Sequence, residues 1–68
     1  MEQETEKILE NIRVRRTEKN ISIINLANKV GISHSHLYYI ESKRVVPSVD
    51  ILVKIAKSLN LTVKDLLE

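Results

Sequence analysis

The sequence predicts an all-α fold of five short helices, and three observations carry that expectation. Its 68 residues include one Gly, one Pro and two aromatics, so strand formers and hairpin turns are scarce. Apolar residues recur three and four apart along the chain, the period of a helix face. Ser22, Ser33, Ser48 and Thr62 each stand just ahead of such a run, where a side-chain oxygen can cap the first turn.

The first helix covers about Glu4 to Lys19, with Ile8 and Ile12 four apart, Leu9 beside them, and no Gly or Pro. Asn20 ends it, because Asn tolerates the left-handed conformation that often follows a helix. Ser22 caps a short second helix in which Ile23, Leu26, Ala27 and Val30 share one face, and Gly31 closes it. Ser33 caps a third helix running to about Ser42. Lys43 to Pro47 form a loop, since Pro47 bars continuation. Ser48 caps a fourth helix whose Leu52, Ile55, Ala56 and Leu59 make an apolar stripe, and Asn60 ends it. Thr62 and Asp65 form a capping box ahead of Leu66 and Leu67, a short fifth helix.

This length suits one compact domain over residues 1–68 and offers no room for a deep catalytic cleft. Without cysteine there is no disulfide scaffold, thiolate zinc site or cysteine nucleophile. A hydrophobic content of 43% with 29% charged residues describes a chain that folds. No aliphatic run exceeds the three residues Ile51, Leu52 and Val53, so no membrane-spanning helix is expected, and the acidic start is unlike a signal peptide. The net charge of +2 is unevenly spread. Residues 1–10 carry Glu2, Glu4, Glu6 and Glu10 against Lys7, whereas residues 11–47 carry seven bases against Glu18 and Glu41. A basic surplus confined to the middle of the chain fits a face that meets a polyanion.

A helix, a Gly-containing turn and a second helix at this spacing form a helix-turn-helix pattern, whose second helix is the one that enters the DNA major groove. At about 100° per residue, Leu37 and Ile40 point one way on helix 3. His34, Ser35, Tyr38 and Tyr39 cover the opposite face, with His36 and Glu41 on its flanks. That face can donate, accept and stack, and it carries no negative charge to repel phosphate.

With these residues in view, the chain resembles the helix-turn-helix regulators of the phage Cro and repressor type, the XRE family, from about Ile8 to Leu67. The matching stretches are Ile12-Arg13-x-x-Arg16, Ile21-Ser22-x-x-x-Leu26-Ala27, Val30-Gly31-Ile32-Ser33, Leu37-x-x-Ile40-Glu41, Pro47-Ser48 and Leu52-x-x-Ile55-Ala56-x-x-Leu59-x-Leu61. Residues 1–7 then read as an acidic extension of helix 1. The resemblance implies a compact five-helix, lambda-repressor-like domain that binds double-stranded DNA as a homodimer on a palindromic operator.

It places base contacts on His34, Ser35 and Tyr39, with Tyr38 beside them, and phosphate contacts on Ser22, Ile23, His36, Lys43 and Arg44. It also implies a structural ion pair between Arg16 and Glu41; read alone, Arg16 is a solvated base. The chain departs from the family pattern in four places. Ile23 stands where Gln is usual, Ser42-Lys43 replaces an Asn-Gly turn, Arg15 occupies an often apolar position, and Val45 and Val46 precede Pro47.

The remaining signals have plainer readings. His34 and His36 lie about 200° apart on a helix with no partner ligands, so no metal site is expected. Ile23 shares the stripe of Leu26 and Val30 and is expected in the core, while Lys54, Lys57 and Lys64 solubilise the far helices. No nucleophile, base and orienter occur together, which speaks against an enzyme, and no cofactor or small-molecule ligand is called for. Val49, Val53, Val63 and Leu67 exceed what one small core needs and form the expected dimer interface.

The expected function is sequence-specific DNA binding by a cytoplasmic transcriptional regulator, a repressor or autoregulator of a prokaryote or phage. The initiating Met and the extent of the resemblance suggest a stand-alone protein, such as a phage regulator or a restriction-modification controller. The alternative is a protein-interaction module, an antitoxin or assembly partner, that makes contact through Ile23, Val45 and Val46.

Overall fold

The computed structural model describes residues 1–68 as four α-helices followed by one 3-10 turn. They are α1 (Gln3–Glu18), α2 (Ile23–Val30), α3 (His34–Glu41), α4 (Val49–Ser58) and the turn Lys64–Leu67. The expected fifth α-helix is therefore corrected to a single 3-10 turn. Its capping box forms as a pair of reciprocal bonds: the Thr62 N–H donates to Asp65 Oδ2 at 2.8 Å, and the Asp65 N–H donates to Thr62 Oγ1 at 3.2 Å. The backbone here bonds i→i+3: Asp65 to Thr62, Leu66 to Val63 and Glu68 to Asp65.

Three serines start helices in one way. Ser22, Ser33 and Ser48 each accept, through Oγ, the N–H three residues on, at 3.0, 3.0 and 3.2 Å. The acidic first turn of α1 (Glu4, Glu6) and its basic last turn (Arg15, Arg16) complement the helix dipole where no side chain caps the start.

All four helices also end in one way. A residue with positive φ follows each: Asn20 (58°), Gly31 (90°), Lys43 (67°) and Asn60 (59°). The next N–H turns back to the carbonyl five residues earlier: Ile21 to Arg16, Ile32 to Ala27, Arg44 to Tyr39 and Leu61 to Ala56. These are Schellman closures, which usually carry an apolar residue after the left-handed one. Ile21, Ile32 and Leu61 obey and pack against the core. The closure of α3 departs twice, with Lys at the left-handed position and solvent-exposed Arg44 after it.

One core joins the elements. Leu9 and Ile12 of α1 meet Leu26, Ala27 and Val30 of α2, Leu37 and Ile40 of α3, Ile55 and Ala56 of α4, and Leu59 and Leu66. Leu52, expected in the stripe of α4, is only partly buried at its edge, as is Ile23. Asn11 ties α1 to the C-terminal turn by donating through Nδ2 to the carbonyl of Leu66 at 2.7 Å. Arg16 of α1 and Glu41 of α3 form a bidentate ion pair, the one inward-facing charge contact of the fold. No helix is long and apolar enough to cross a membrane.

Candidate nucleic-acid interface

The surface that could meet DNA is built on α3, which α2 and α1 hold from behind. Leu37 and Ile40 are fully buried and Glu41 is 6% exposed, so one side of this eight-residue helix is committed to the interior. His34, Ser35, Tyr38 and Tyr39 are thereby presented outward, the two tyrosines about half exposed. His36 is half-buried on the flank, and its backbone N–H is taken by the Ser33 cap.

The two tyrosines face different surroundings. Their rings meet edge to face with centroids 5.7 Å apart and planes at 61°. Tyr39 also lies under the guanidinium of Arg44, which sits 5.7 Å from its ring centroid. Tyr38 instead borders an open hollow of about 190 Å³ with Arg13, Arg16, Ile23, Glu41 and Ser42. Helical periodicity placed both tyrosines on one face; only the packing of α1 beside α3 divides them between a basic hollow and the α3 terminator.

Among the expected phosphate contacts, Ser22, Lys43 and Arg44 are exposed, while the Ile23 side chain is turned partly into the core. Lys43 reaches back to α1, where its Nζ lies 3.6 Å from Glu10 Oε1. Arg13 contacts the other oxygen of the same carboxylate. The hydrogen bond from Arg13, reinforced by its charge and by that of Lys43, holds the Glu10 carboxyl below the ordinary carboxylate range. Sequence reasoning passed over Glu10 and Asn11. The Glu10–Arg13 spacing of three on a helix was a local signal for one half of that arrangement.

Val49, Val53, Val63 and Leu67 lie on α4 and the C-terminal segment. Val53 and Val63 line an apolar groove of about 250 Å³ with Ala56, Lys57, Leu61 and Thr62, Val49 is 77% exposed near its end of α4, and Leu67 is half-buried outside the groove lining. Val45 and Val46 are exposed in the loop before α4. No cluster of three or more His, Asp or Glu side chains is placed to hold a metal ion.

A helix-turn-helix family model matches residues 12–66, which span α1 from Ile12 through the C-terminal turn to Leu66. No curated protein matches the chain. The crystal structure of the clp gene regulator ClgR from Corynebacterium glutamicum is similar, with a TM-score of 0.88 and 25% identity over 93% of this chain and 67% of that one. The serine-capped α2, the Gly31 turn, the outward polar face of α3 and this family match lead to one assignment: the chain belongs to the XRE-type helix-turn-helix family of DNA-binding transcriptional regulators.

Proposed function

We propose that this protein binds double-stranded DNA sequence-specifically as a homodimer, with α3 in the major groove, and acts as a repressor or autoregulator. The observation that carries the reading is the exposed face of α3. His34, Ser35, Tyr38 and Tyr39 offer hydroxyls, imidazole and aromatic surface with no carboxylate among them, and the cations Lys43 and Arg44 follow at the helix end. His34 and Ser35, in the first turn, are suited to base edges, as is the hydroxyl of Tyr39. Arg44, Lys43, the Ser22 cap and His36 are suited to phosphates.

Dimerisation is supported by the apolar groove containing Val53 and Val63 and by the exposure of Val49. A two-fold pairing sets two copies of α3 about one DNA turn, roughly 34 Å, apart on a palindromic site. The gene-regulatory role named for ClgR accords with this reading. Selection of bound sites from random duplexes tests it: a recovered palindrome with that spacing supports it, and an unenriched pool rejects it.

Exposed Val45 and Val46 favour a second reading, a protein contact at the loop before α4. Binding to DNA with a steep salt dependence separates the two, because an apolar protein contact has no such slope.

A further inference from the structure

A carboxylate on the surface of α1 is held by two cations that stand beside the proposed DNA face. Glu10 projects from α1, and its two carboxylate oxygens are divided between Arg13, one helical turn away, and Lys43, which follows α3. Arg13 also borders the hollow shared by Tyr38 and Ser42, so both cations stand at one edge of the α3 surface. All three side chains are well exposed, between 38% and 48%.

A surface contact of this kind adds little to stability. A carboxylate here occupies on both cations the place that a phosphate oxygen takes in a charge-assisted contact, and like a phosphate it is anionic and planar or branched enough to accept from two donors. Lys43 is held toward α1 although its backbone sits at φ 67°, a conformation Lys does not favour on its own.

We infer that Glu10 is an internal competitor for the DNA backbone: it holds Arg13 and Lys43 in the free protein, and the two cations exchange it for phosphates on binding. The inference rests on the proposed DNA-binding reading. Its effect is to weaken binding to every duplex by a similar factor, which lowers retention on non-specific DNA while base contacts keep the preferred site ahead. The other acids of α1 lack this arrangement; Glu6, one turn earlier on the same face, contacts no cation.

The test compares the full chain with Glu10→Gln, the charge-matched control Glu6→Gln, the variant Arg13→Gln with Lys43→Gln, and that variant carrying Glu10→Gln as well. Each is titrated with a random-sequence duplex over a range of salt, with thermal melting to establish that each is folded. Glu10→Gln is expected to bind about threefold to tenfold more tightly at low salt, with the gain shrinking as salt screens it. Glu6→Gln should change affinity clearly less, and Glu10→Gln should bring a much smaller gain when added to the variant lacking both cations than when added to wild type; equal gains in the two backgrounds overturn the inference. Equal gains from Glu10→Gln and Glu6→Gln overturn the inference and leave only diffuse repulsion. Unchanged or weaker binding by Glu10→Gln also overturns it, while the wild-type titration upholds DNA binding. Salt-dependent binding by neither protein overturns both the inference and the reading beneath it.

Discussion

Arg16 and Glu41 meet fork to fork between α1 and α3. Arg16 Nε donates to Glu41 Oε2 at 2.7 Å and Nη2 donates to Oε1 at 2.9 Å, while Nη1 donates to the Ile21 carbonyl at 2.8 Å. The arginine therefore fixes both the angle of α3 on α1 and the entry of the chain into α2. Because both side chains are largely buried, removing one strands the other. Arg16→Met, which orphans a carboxylate and a carbonyl, is expected to cost about 3–5 kcal/mol, a large share of the stability of so small a domain. Glu41→Gln keeps an acceptor and should cost less. Urea unfolding of Arg16→Met, Glu41→Leu and the double variant checks the coupling; losses that simply add would contradict it.

The helix terminators make opposite predictions at two positions. An added Cβ at Gly31 meets nothing within 4 Å, so Gly31→Ala isolates the backbone strain of φ 90° and should destabilise by about 1 kcal/mol. Lys43 already bears that strain. Lys43→Gly should stabilise by about 0.5–1 kcal/mol while weakening duplex binding and lowering the salt slope by about one unit. Denaturant midpoints and DNA titrations on the same samples reveal whether stability and affinity move in opposite directions.

Tyr39 and Arg44 touch, so they are not independent probes of reading and holding. Tyr39→Ala also frees the guanidinium. Tyr39→Phe keeps the ring under Arg44 and removes only the hydroxyl, and it should cost about 1–3 kcal/mol at the preferred site with little change on scrambled DNA. Arg44→Ala should weaken both duplexes alike. Parallel losses for the two variants would remove Tyr39 from the base-reading set.

Val49 stands at the start of α4 with 77% of its surface exposed. An acid in the first turn suits the helix dipole, so Val49→Asp should leave the melting temperature nearly unchanged. The same charge placed in an apolar interface should dissociate the proposed dimer, which sedimentation reads directly. An unshifted monomer–dimer balance would move the interface elsewhere.

The Thr62–Asp65 box links the C-terminal turn to pH. The Thr62 N–H, and after it the Thr62 hydroxyl, hydrogen-bond the Asp65 carboxylate and hold its pKa below the ordinary value. A folded-state pKa that is lowered contributes stability above the unfolded value, about 4, and that contribution is lost as pH falls through the folded value. Asp65→Asn should therefore melt at a lower temperature than wild type near neutral pH. The two melting curves should converge as pH drops below about 4; a gap constant with pH would place the stabilisation elsewhere.

What the sequence determines alone is what short-range chemistry can enforce. A Ser hydroxyl reaches the N–H three residues on whatever the rest of the chain does, so the starts of α2, α3 and α4 were legible from Ser22, Ser33 and Ser48. Asn20, Gly31 and Asn60 tolerate positive φ by their own chemistry and marked three helix ends. Lys43 has no such preference, so its residue type does not announce the left-handed closure that ends α3. The capping box announced a turn after Thr62 but could not say whether an α-helix or a 3-10 turn would follow. The burial of Leu66 and the bond from Asn11 to its carbonyl hold that segment against α1. Period and angle put Tyr38 and Tyr39 on one exposed face. Which of them borders Arg13 and which lies under Arg44, and that Glu10 meets Lys43 at all, depend on the placement of α1 beside α3, a long-range packing outcome that no local spacing encodes.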